Sequence, residues 1–321
     1  MTTIEKASGI LVSVGNTPAL RLEQLFPQSD HEFFAKLEHM NPGGSIKDRS
    51  SIFILQEAIN LGKVSPDTVI IESTSGNMGI GLAQACLYLG LKLVLVVDPL
   101  INPHTENLLK IYGATLVKVQ DKDSTGSYLK ARLEKVKHLL EDTKNSFWTD
   151  QYSNKANPEG QRKITAELLD QLSNKLDYLF VGTGTGGTIT GCLNEIQARR
   201  LATVIVPVDV YGSKVFNAPT GNKKIPGIGA GQKSSFFSTG DLGEPVYIND
   251  EQIIEGCWKL LRREAILAGG STGAVVSAIE KTLMKIPTKS SIAFFISDRG
   301  ERYLDTIYSK KWVLENFQLE F

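Results

Sequence analysis

"LDYLFVGTGTGGTITGCLNEIQARR" (176–200) passes from an apolar run through closely spaced glycines into a helical pattern. The run "LDYLFV" is rich in strand-forming residues and bounded by glycine, as a buried strand is. Glycines let backbone amides approach an anion, and a following helix N-terminus adds partial positive charge. The stretch is therefore a candidate phosphate loop. Gly182, Gly184 and Gly187 also satisfy G-x-G-x-x-G, and Asp209 closes the next apolar run, which is the outline of a dinucleotide site. A plain tight turn is the third reading, and this stretch alone leaves all three open.

The same alternation runs outward in both directions. "TVIIEST" (68–74), "KLVLVVD" (92–98) and "ATLVKVQ" (114–120) form a first series of β-branched runs; "LDYLFVG" (176–182), "TVIVPVDV" (203–210), "EPVYIND" (244–250) and "SIAFFIS" (291–297) form a second. Helical patterns lie between them, among them "GIGLAQACLYLG", "PHTENLLKIYG" and "DEQIIEGCWKLLRREAILAG" (250–269). Strand–helix alternation predicts an α/β fold with mostly parallel sheets flanked by helices. Two series predict two lobes, 1–150 and 151–321, with a cleft between them. The boundary falls near "FWTDQYSNKANPEG" (147–160), where polar residues, Pro and Gly gather.

Composition excludes several classes. The chain has 321 residues, 41% hydrophobic and 22% charged, with 35 Lys plus Arg balancing 35 Asp plus Glu. No basic excess points to nucleic acid. Cys86, Cys192 and Cys257 are far apart and odd in number, so they read as core thiols in a reducing cytoplasm. His31, His39, His104 and His138 show no metal-ligand spacing. The opening "MTTIEKASGILVSVGNTPAL" is broken by Ser13 and Gly15, and predicts neither a signal peptide nor a membrane span.

Two more glycine loops and one lysine carry chemistry. "ESTSGNMGIG" (72–81) sets Thr74, Ser75 and Asn77 at a helix start, which suits a carboxylate or an ordinary cap. "AGGSTGA" (268–274) sets Ser271 and Thr272 at another. In "NPGGSIKDRS" (41–50), Lys47 follows a glycine pair and opens the helical "IKDRSSIFILQEAINLG". The helix dipole disfavours an ammonium in a first turn, a physical reason for a nucleophilic amine; a solvated lysine is the alternative.

"NPGGSIKDR", "ESTSGNMGIGLA", "DQYSNKANP", "GTGTGGTITG", "IPGIGAG", "GGSTGA" and "DRGERYLD" occur in this order. Together they resemble, end to end, the cysteine synthase / cystathionine β-synthase family of fold-type II (tryptophan synthase beta-like) pyridoxal phosphate enzymes. The resemblance implies two α/β lobes, with the first ~40 residues crossing partly to the other lobe, and a cytoplasmic homodimer acting on small amino acids. Lys47 matches the Schiff-base lysine. Asn77 matches the partner of the cofactor's phenolic oxygen, and Gly184, Thr185, Gly186, Gly187 and Thr188 match its phosphate loop. Ser271 matches the hydroxyl facing the pyridine nitrogen. Thr74, Ser75, Gly76, Met78 and Gln151 match substrate-binding positions. The implied reaction is β-replacement through an α-aminoacrylate, with Lys47 as base and then acid.

Departures from the common pattern bear on the substrate. Met78 follows the loop asparagine, and Asp298 and Arg299 stand where two serines are usual. In "GSYLKARLEKVKHLLED" (126–142), Tyr128, Leu129, Leu133, Val136, Leu139 and Leu140 define an apolar arc that also contains Arg132. A buried guanidinium needs an anionic partner, either an internal carboxylate or a substrate phosphate. These features resemble a branch that joins O-phospho-L-serine to the amino group of L-glutamate, on the way to 2,3-diaminopropionate for siderophores and related products. There Arg132, Tyr152 and Thr185 lie near the donor phosphate, and Lys214, Lys223 and Arg299 are candidates for the glutamate side chain. The phosphate loop is closer to the cysteine synthase form, which keeps sulfide as an alternative nucleophile. A catalytically silent cofactor-binding or partner-binding protein is the reading from a different class.

Overall fold

The computed structural model describes residues 8–122, 128–221, 223–237 and 240–320. In chain order they form β1 (Ala19–Leu22), β2 (Glu32–Lys36), α1 (Lys47–Asn60), β3 (Val69–Ser73), α2 (Asn77–Leu89), β4 (Lys92–Val97), α3 (Pro103–Ile111), β5 (Thr115–Lys118), α4 (Tyr128–Asp142), β6 (Ser146–Trp148), α5 (Ala156–Gln171), β7 (Tyr178–Gly182), α6 (Gly187–Ala198), β8 (Val204–Val210), β9 (Val246–Ile248), α7 (Asp250–Glu264), α8 (Gly270–Thr282), β10 (Ser291–Phe295) and α9 (Lys310–Phe317). These divide into two compact units. One is built on Asn41–Gly160 with the described residues up to Val14, the other on Gly15–Met40 with Gln161 onward.

The first unit holds a four-stranded sheet in the order β5-β4-β3-β6, parallel throughout. A parallel sheet must be covered on both faces, which is why its strands read as continuous apolar runs. Successive side chains point to opposite faces. Ile71 and Val96 pack with Val136 of α4 on one face. Ile70, Leu93, Leu95 and Val97 join Ile54, Leu55, Ile80 and Leu82 of α1 and α2 in a separate apolar cluster. The side chain of Asn102 accepts from the amides of His104 and Thr105, with Pro103 in the first turn, and so fixes the start of α3.

The second unit holds six strands in the order β1-β2-β10-β7-β8-β9; β1 is antiparallel to β2 and the other pairs are parallel. Every residue of β10 is buried. Asn249 and Gln252 form a reciprocal capping box that starts α7. That helix was expected to run through 250–269; it stops at Glu264 because Ala265 adopts a left-handed conformation, with φ 56°. The backbones of α7 and α8 touch: a Cβ on Gly256 would overlap the Gly273 carbonyl, and one on Gly273 would overlap that of Ile253. This close crossing fixes where α8 begins, and Ser271 lies in its first turn.

All seven runs read as strands are strands in the structure. β1, β2, β6, α5 and α9 were not foreseen. Residues 126 and 127 of the helix read at 126–142 lie outside the described residues. No helix among the described residues is long and apolar enough to cross a membrane.

Candidate active site

In the first unit the turn before α1 is built around Asp48. Its buried carboxylate accepts from the Gly43 amide at 2.5 Å and from the Ser45 hydroxyl at 3.3 Å. A Cβ on Gly43 would strike that carboxylate, and Gly44 sits at φ 81°, so the glycine pair is a steric requirement of the turn. The turn delivers Lys47 as the first residue of α1, half-buried. Ser51, one turn on, lies 2.9 Å from the Lys47 carbonyl and 3.2 Å from the Met78 carbonyl, which ties the lysine's helix to the first turn of α2, directly after the loop that follows β3.

That loop contains Thr74, Ser75 and Gly76 and ends where Asn77 opens α2. Thr74 Oγ1 accepts from the Gly76 amide at 3.3 Å. Ser75, Gly76 and Asn77 are half-buried. Met78 is 3% exposed and belongs to the apolar cluster between α1, α2 and the sheet, so its side chain points away from the loop's surface.

Arg132 reaches the same loop from α4. Its Nη1 donates to Ser75 Oγ at 3.3 Å, and its Nε lies 3.3 Å from Asp98 Oδ2, the two side chains being 13% and 9% exposed. Nε is not aligned as a donor to that oxygen and is otherwise buried without an acceptor. The helical arc thus forecast the burial, and Asp98 is an internal anion. Burial raises the Tyr152 phenol above its ordinary value, and the Arg132 guanidinium opposes that rise.

Gln151 is buried beside the loop. Its side-chain amide donates to the Ser73 carbonyl at 3.4 Å, and its backbone amide donates to Glu72 at 3.3 Å. Sequence reading passed over Glu72, although a carboxylate inside "TVIIEST" was the signal available. Its carboxyl is 1% exposed, and burial pushes it up to about 7 against the hydrogen bonds it accepts. Asp98 was missed as well, since it reads only as the polar end of a strand.

In the second unit, residues Gly184–Thr188 follow β7 and run into the first turn of α6. Gly186 is the N-cap at φ 90°, and a Cβ there would also lie 3.0 Å from the Phe237 ring. Ser234 donates to the Thr185 carbonyl, and Thr188 donates to Gln161 Oε1 at 3.2 Å. A Cβ on Gly182 would sit 3.4 Å from the Ser271 carbonyl, so the first turn of α8 lies against the start of this loop. Lys223 donates to the carbonyls of Ile228 and Gly229, and Arg299 to that of His39 at 3.0 Å. Two of the three candidate cations are thus engaged with backbone, and the third, Lys214, is exposed.

The glycine loop and the Lys47 turn match a known family. A family model described as "Pyridoxal-phosphate dependent enzyme" matches residues 10–298. The chain belongs to this family. An N-(2-amino-2-carboxyethyl)-L-glutamate synthase from Cupriavidus metallidurans is 40% identical over 310 residues, 95% of this chain and 91% of that protein. Among solved structures, the O-acetylserine dependent cystathionine beta-synthase from Helicobacter pylori is similar with a TM-score of 0.87 at 29% identity, covering 94% of this chain and 99% of that one. A hydrogen sulfide-producing enzyme from Fusobacterium nucleatum gives 0.86 at 31%, covering 93% and 100%. The dinucleotide reading of the glycine loop is thereby set aside.

The second unit's residues suit pyridoxal phosphate. Thr185 Oγ1 is buried with no partner among the described residues, at the N-terminal end of α6. A Cβ on Gly184 would find nothing nearer than the Gly227 carbonyl at 4.0 Å, which leaves space over the loop's amides. The loop's amides, the buried Thr185 hydroxyl and a helix N-terminus form a donor set suited to a phosphate dianion.

Proposed function

We propose that this pyridoxal-phosphate dependent enzyme catalyses a β-replacement. It joins O-phospho-L-serine to the amino group of L-glutamate and yields N-(2-amino-2-carboxyethyl)-L-glutamate and phosphate. The observation that carries the reading is the mostly buried Arg132 guanidinium hydrogen-bonded to Ser75. A cation held beside the segment assigned to the donor's carboxylate suits a donor whose leaving group is itself an anion. The relative from Cupriavidus metallidurans, which carries the name of this activity, supports it.

The bound cofactor supplies an electron sink that acidifies the donor's Cα–H. Lys47, which would anchor it, is the base that takes this proton and the acid that later returns one to Cα. Its first-turn position on α1 disfavours an ammonium and so favours the free amine needed for the first step. Gly184–Thr188 would hold the cofactor's phosphate, Asn77 its phenolic oxygen, and Ser271 would serve its ring nitrogen. A hydroxyl does not keep a proton on that nitrogen as a carboxylate would, which favours loss of a group from Cβ over amino transfer. Thr74, Ser75, Gly76 and Gln151 orient the donor's α-carboxylate, Met78 contributing through its backbone alone. Arg132 and Tyr152 stabilise phosphate as the Cβ–O bond breaks. A Cβ–N bond to glutamate then forms, and the nitrogen loses one proton.

The second reading is a cysteine synthase using sulfide. Its support is Asp98, which gives Arg132 a structural partner without any substrate phosphate. Mass spectrometry of the products from O-phospho-L-serine and O-acetyl-L-serine, each offered with L-glutamate and with sulfide, separates the two. A product containing glutamate nitrogen supports the first reading; cysteine alone overturns it. We assign the enzyme to the cytoplasm as a homodimer. The buried free thiols of Cys86, Cys192 and Cys257 accord with a reducing compartment. Exposed Ile10, Val12, Leu87 and Tyr88 accord with an apolar contact between copies. Sedimentation equilibrium tests the dimer.

A further inference from the structure

Glu72 is a carboxylate in the middle of a parallel sheet, where an unpaired charge is strongly disfavoured. Three donors converge on it. Oε1 accepts from the Ser73 amide at 2.7 Å; Oε2 accepts from the Thr149 hydroxyl at 2.5 Å and from the Gln151 amide at 3.3 Å. Thr149 and Gln151 follow β6, whereas Ser73 ends β3, so this one side chain bridges the exits of two neighbouring strands. The bridge continues through Gln151, whose carbonyl accepts from Asn157 Nδ2 at 2.8 Å. Asn157 Oδ1 in turn accepts from Ser50 Oγ at 2.7 Å, and Ser50 lies one turn below Lys47 on α1. Within the first unit, a continuous hydrogen-bonded chain therefore links the lysine's helix to both segments assigned to the donor's carboxylate.

We propose that Glu72 is the positioning residue that holds the Thr74–Gly76 loop and Gln151 in register with each other, so that the donor's α-carboxylate meets both. The proposal rests on the carboxylate-binding assignment of those segments.

The hydrogen-bond inventory supports it. The Ser73 and Gln151 amides can only donate, so a proton on Glu72 would have no acceptor unless the Thr149 hydroxyl reversed. Protonation therefore breaks part of the bridge. Desolvation lifts the carboxyl to about 7, the charge of Asp150 adds to that, and the three hydrogen bonds pull it down. The titratable groups that interact with it are Asp150 and Tyr152, both on the segment after β6. Its partner across the sheet on β4 is Leu95. A carboxylate that sets two segments against each other sits between them, as Glu72 does.

The test compares wild type, Glu72→Gln and Glu72→Asp holoenzymes with O-phospho-L-serine and with O-acetyl-L-serine, from about pH 6 to about pH 9. Glu72→Gln keeps the shape but opposes an amide to three donors. We expect its donor KM to rise about tenfold with either donor while kcat changes less than about threefold, the loss of about one hydrogen bond's worth of orientation. The wild-type donor KM should rise as pH falls through about 7, and the Glu72→Gln profile should be flat there. Glu72→Asp should restore part of the pH dependence. Hydrogen exchange of residues 72–80 and 147–157 without donor, corrected for intrinsic rates, should show protection that wild type loses below about pH 7 and Glu72→Gln lacks throughout. An unchanged KM and pH profile in Glu72→Gln overturns the proposal, and so does equal loss of kcat with both donors at unchanged KM. Failure of wild type to use O-phospho-L-serine rejects the donor assignment alone; Glu72 is then judged on O-acetyl-L-serine. If neither donor turns over, unchanged exchange between wild type and Glu72→Gln overturns it.

Discussion

Replacing Arg132 by alanine removes two contacts with different consequences. The guanidinium lies 3.3 Å from Asp98 with both side chains mostly buried. At that separation and an effective dielectric of about 20, the attraction is about 5 kcal/mol before desolvation, and stripping one partner from a buried pair typically destabilises by about 3 kcal/mol or more. Arg132→Ala should therefore lower the unfolding free energy by roughly 3 kcal/mol, whatever the substrate. The functional loss is separate. A charge-assisted hydrogen bond to a phosphate is worth about 2–3 kcal/mol, so kcat/KM for O-phospho-L-serine should fall by about 30- to 150-fold. O-acetyl-L-serine has no anionic leaving group and should lose less than about threefold. Asp98→Asn sharpens the comparison. It keeps an acceptor for Leu100, whose amide donates to Asp98 at 3.0 Å, and removes a negative charge from beside the proposed phosphate site. That variant should lower the KM for O-phospho-L-serine and leave that for O-acetyl-L-serine unchanged. Steady-state kinetics with both donors, at a temperature where circular dichroism shows all variants folded, decides the matter. Equal losses with the two donors in Arg132→Ala, together with the fall in stability, would refute the donor-phosphate role and leave Arg132 as Asp98's structural partner.

Lys47→Ala should abolish turnover, and borohydride reduction of wild type followed by peptide mapping should label Lys47; label on another lysine rejects its role. Gly186→Ala forces a side chain into a left-handed position with its Cβ 3.0 Å from Phe237. It should weaken cofactor binding and cost about 1–2 kcal/mol of stability, read by cofactor titration and thermal denaturation. Glu72 makes stability pH-dependent with a defined sign. Its folded value of about 7 lies above its ordinary 4.5, so between those values the native protein keeps a proton that the unfolded chain has released, and stability falls as pH rises. That gap, at about 1.4 kcal/mol for each pH unit, is worth about 3 kcal/mol. The stability of Glu72→Gln relative to wild type should thus improve by up to about 3 kcal/mol from about pH 5 to about pH 8 in urea denaturation, and no improvement would contradict a raised carboxyl.

The parts of this fold that sequence made legible are those whose signal is local. β3, β4, β8 and β10 are β-branched or aromatic runs between polar turns, because both of their faces are covered. β2 gave no such signal. "EFFAK" is short and mixed, and its place in the sheet comes from pairing with β10, more than two hundred residues away. β6 is only three residues long and overlaps the start of the stretch read as a boundary; its identity as a strand comes from pairing with β3. The site divides the same way. Lys47, Asn77, the Gly184–Thr188 loop and Ser271 stand in motifs whose order names a family, while their partners do not. Nothing local joins Ser51 to Met78, or Asn157 to Gln151, since those bonds exist only once α1, α2 and α5 are packed. Arg132 shows where local reasoning stops. The helical arc required the guanidinium to face an anion, and both answers satisfy that requirement equally in sequence. The fold supplies Asp98 from the end of β4 and turns Nη1 towards Ser75. The carboxylate holds its charge and the hydroxyl its direction, an arrangement that suits the proposed role of an arginine kept ordered for a donor phosphate.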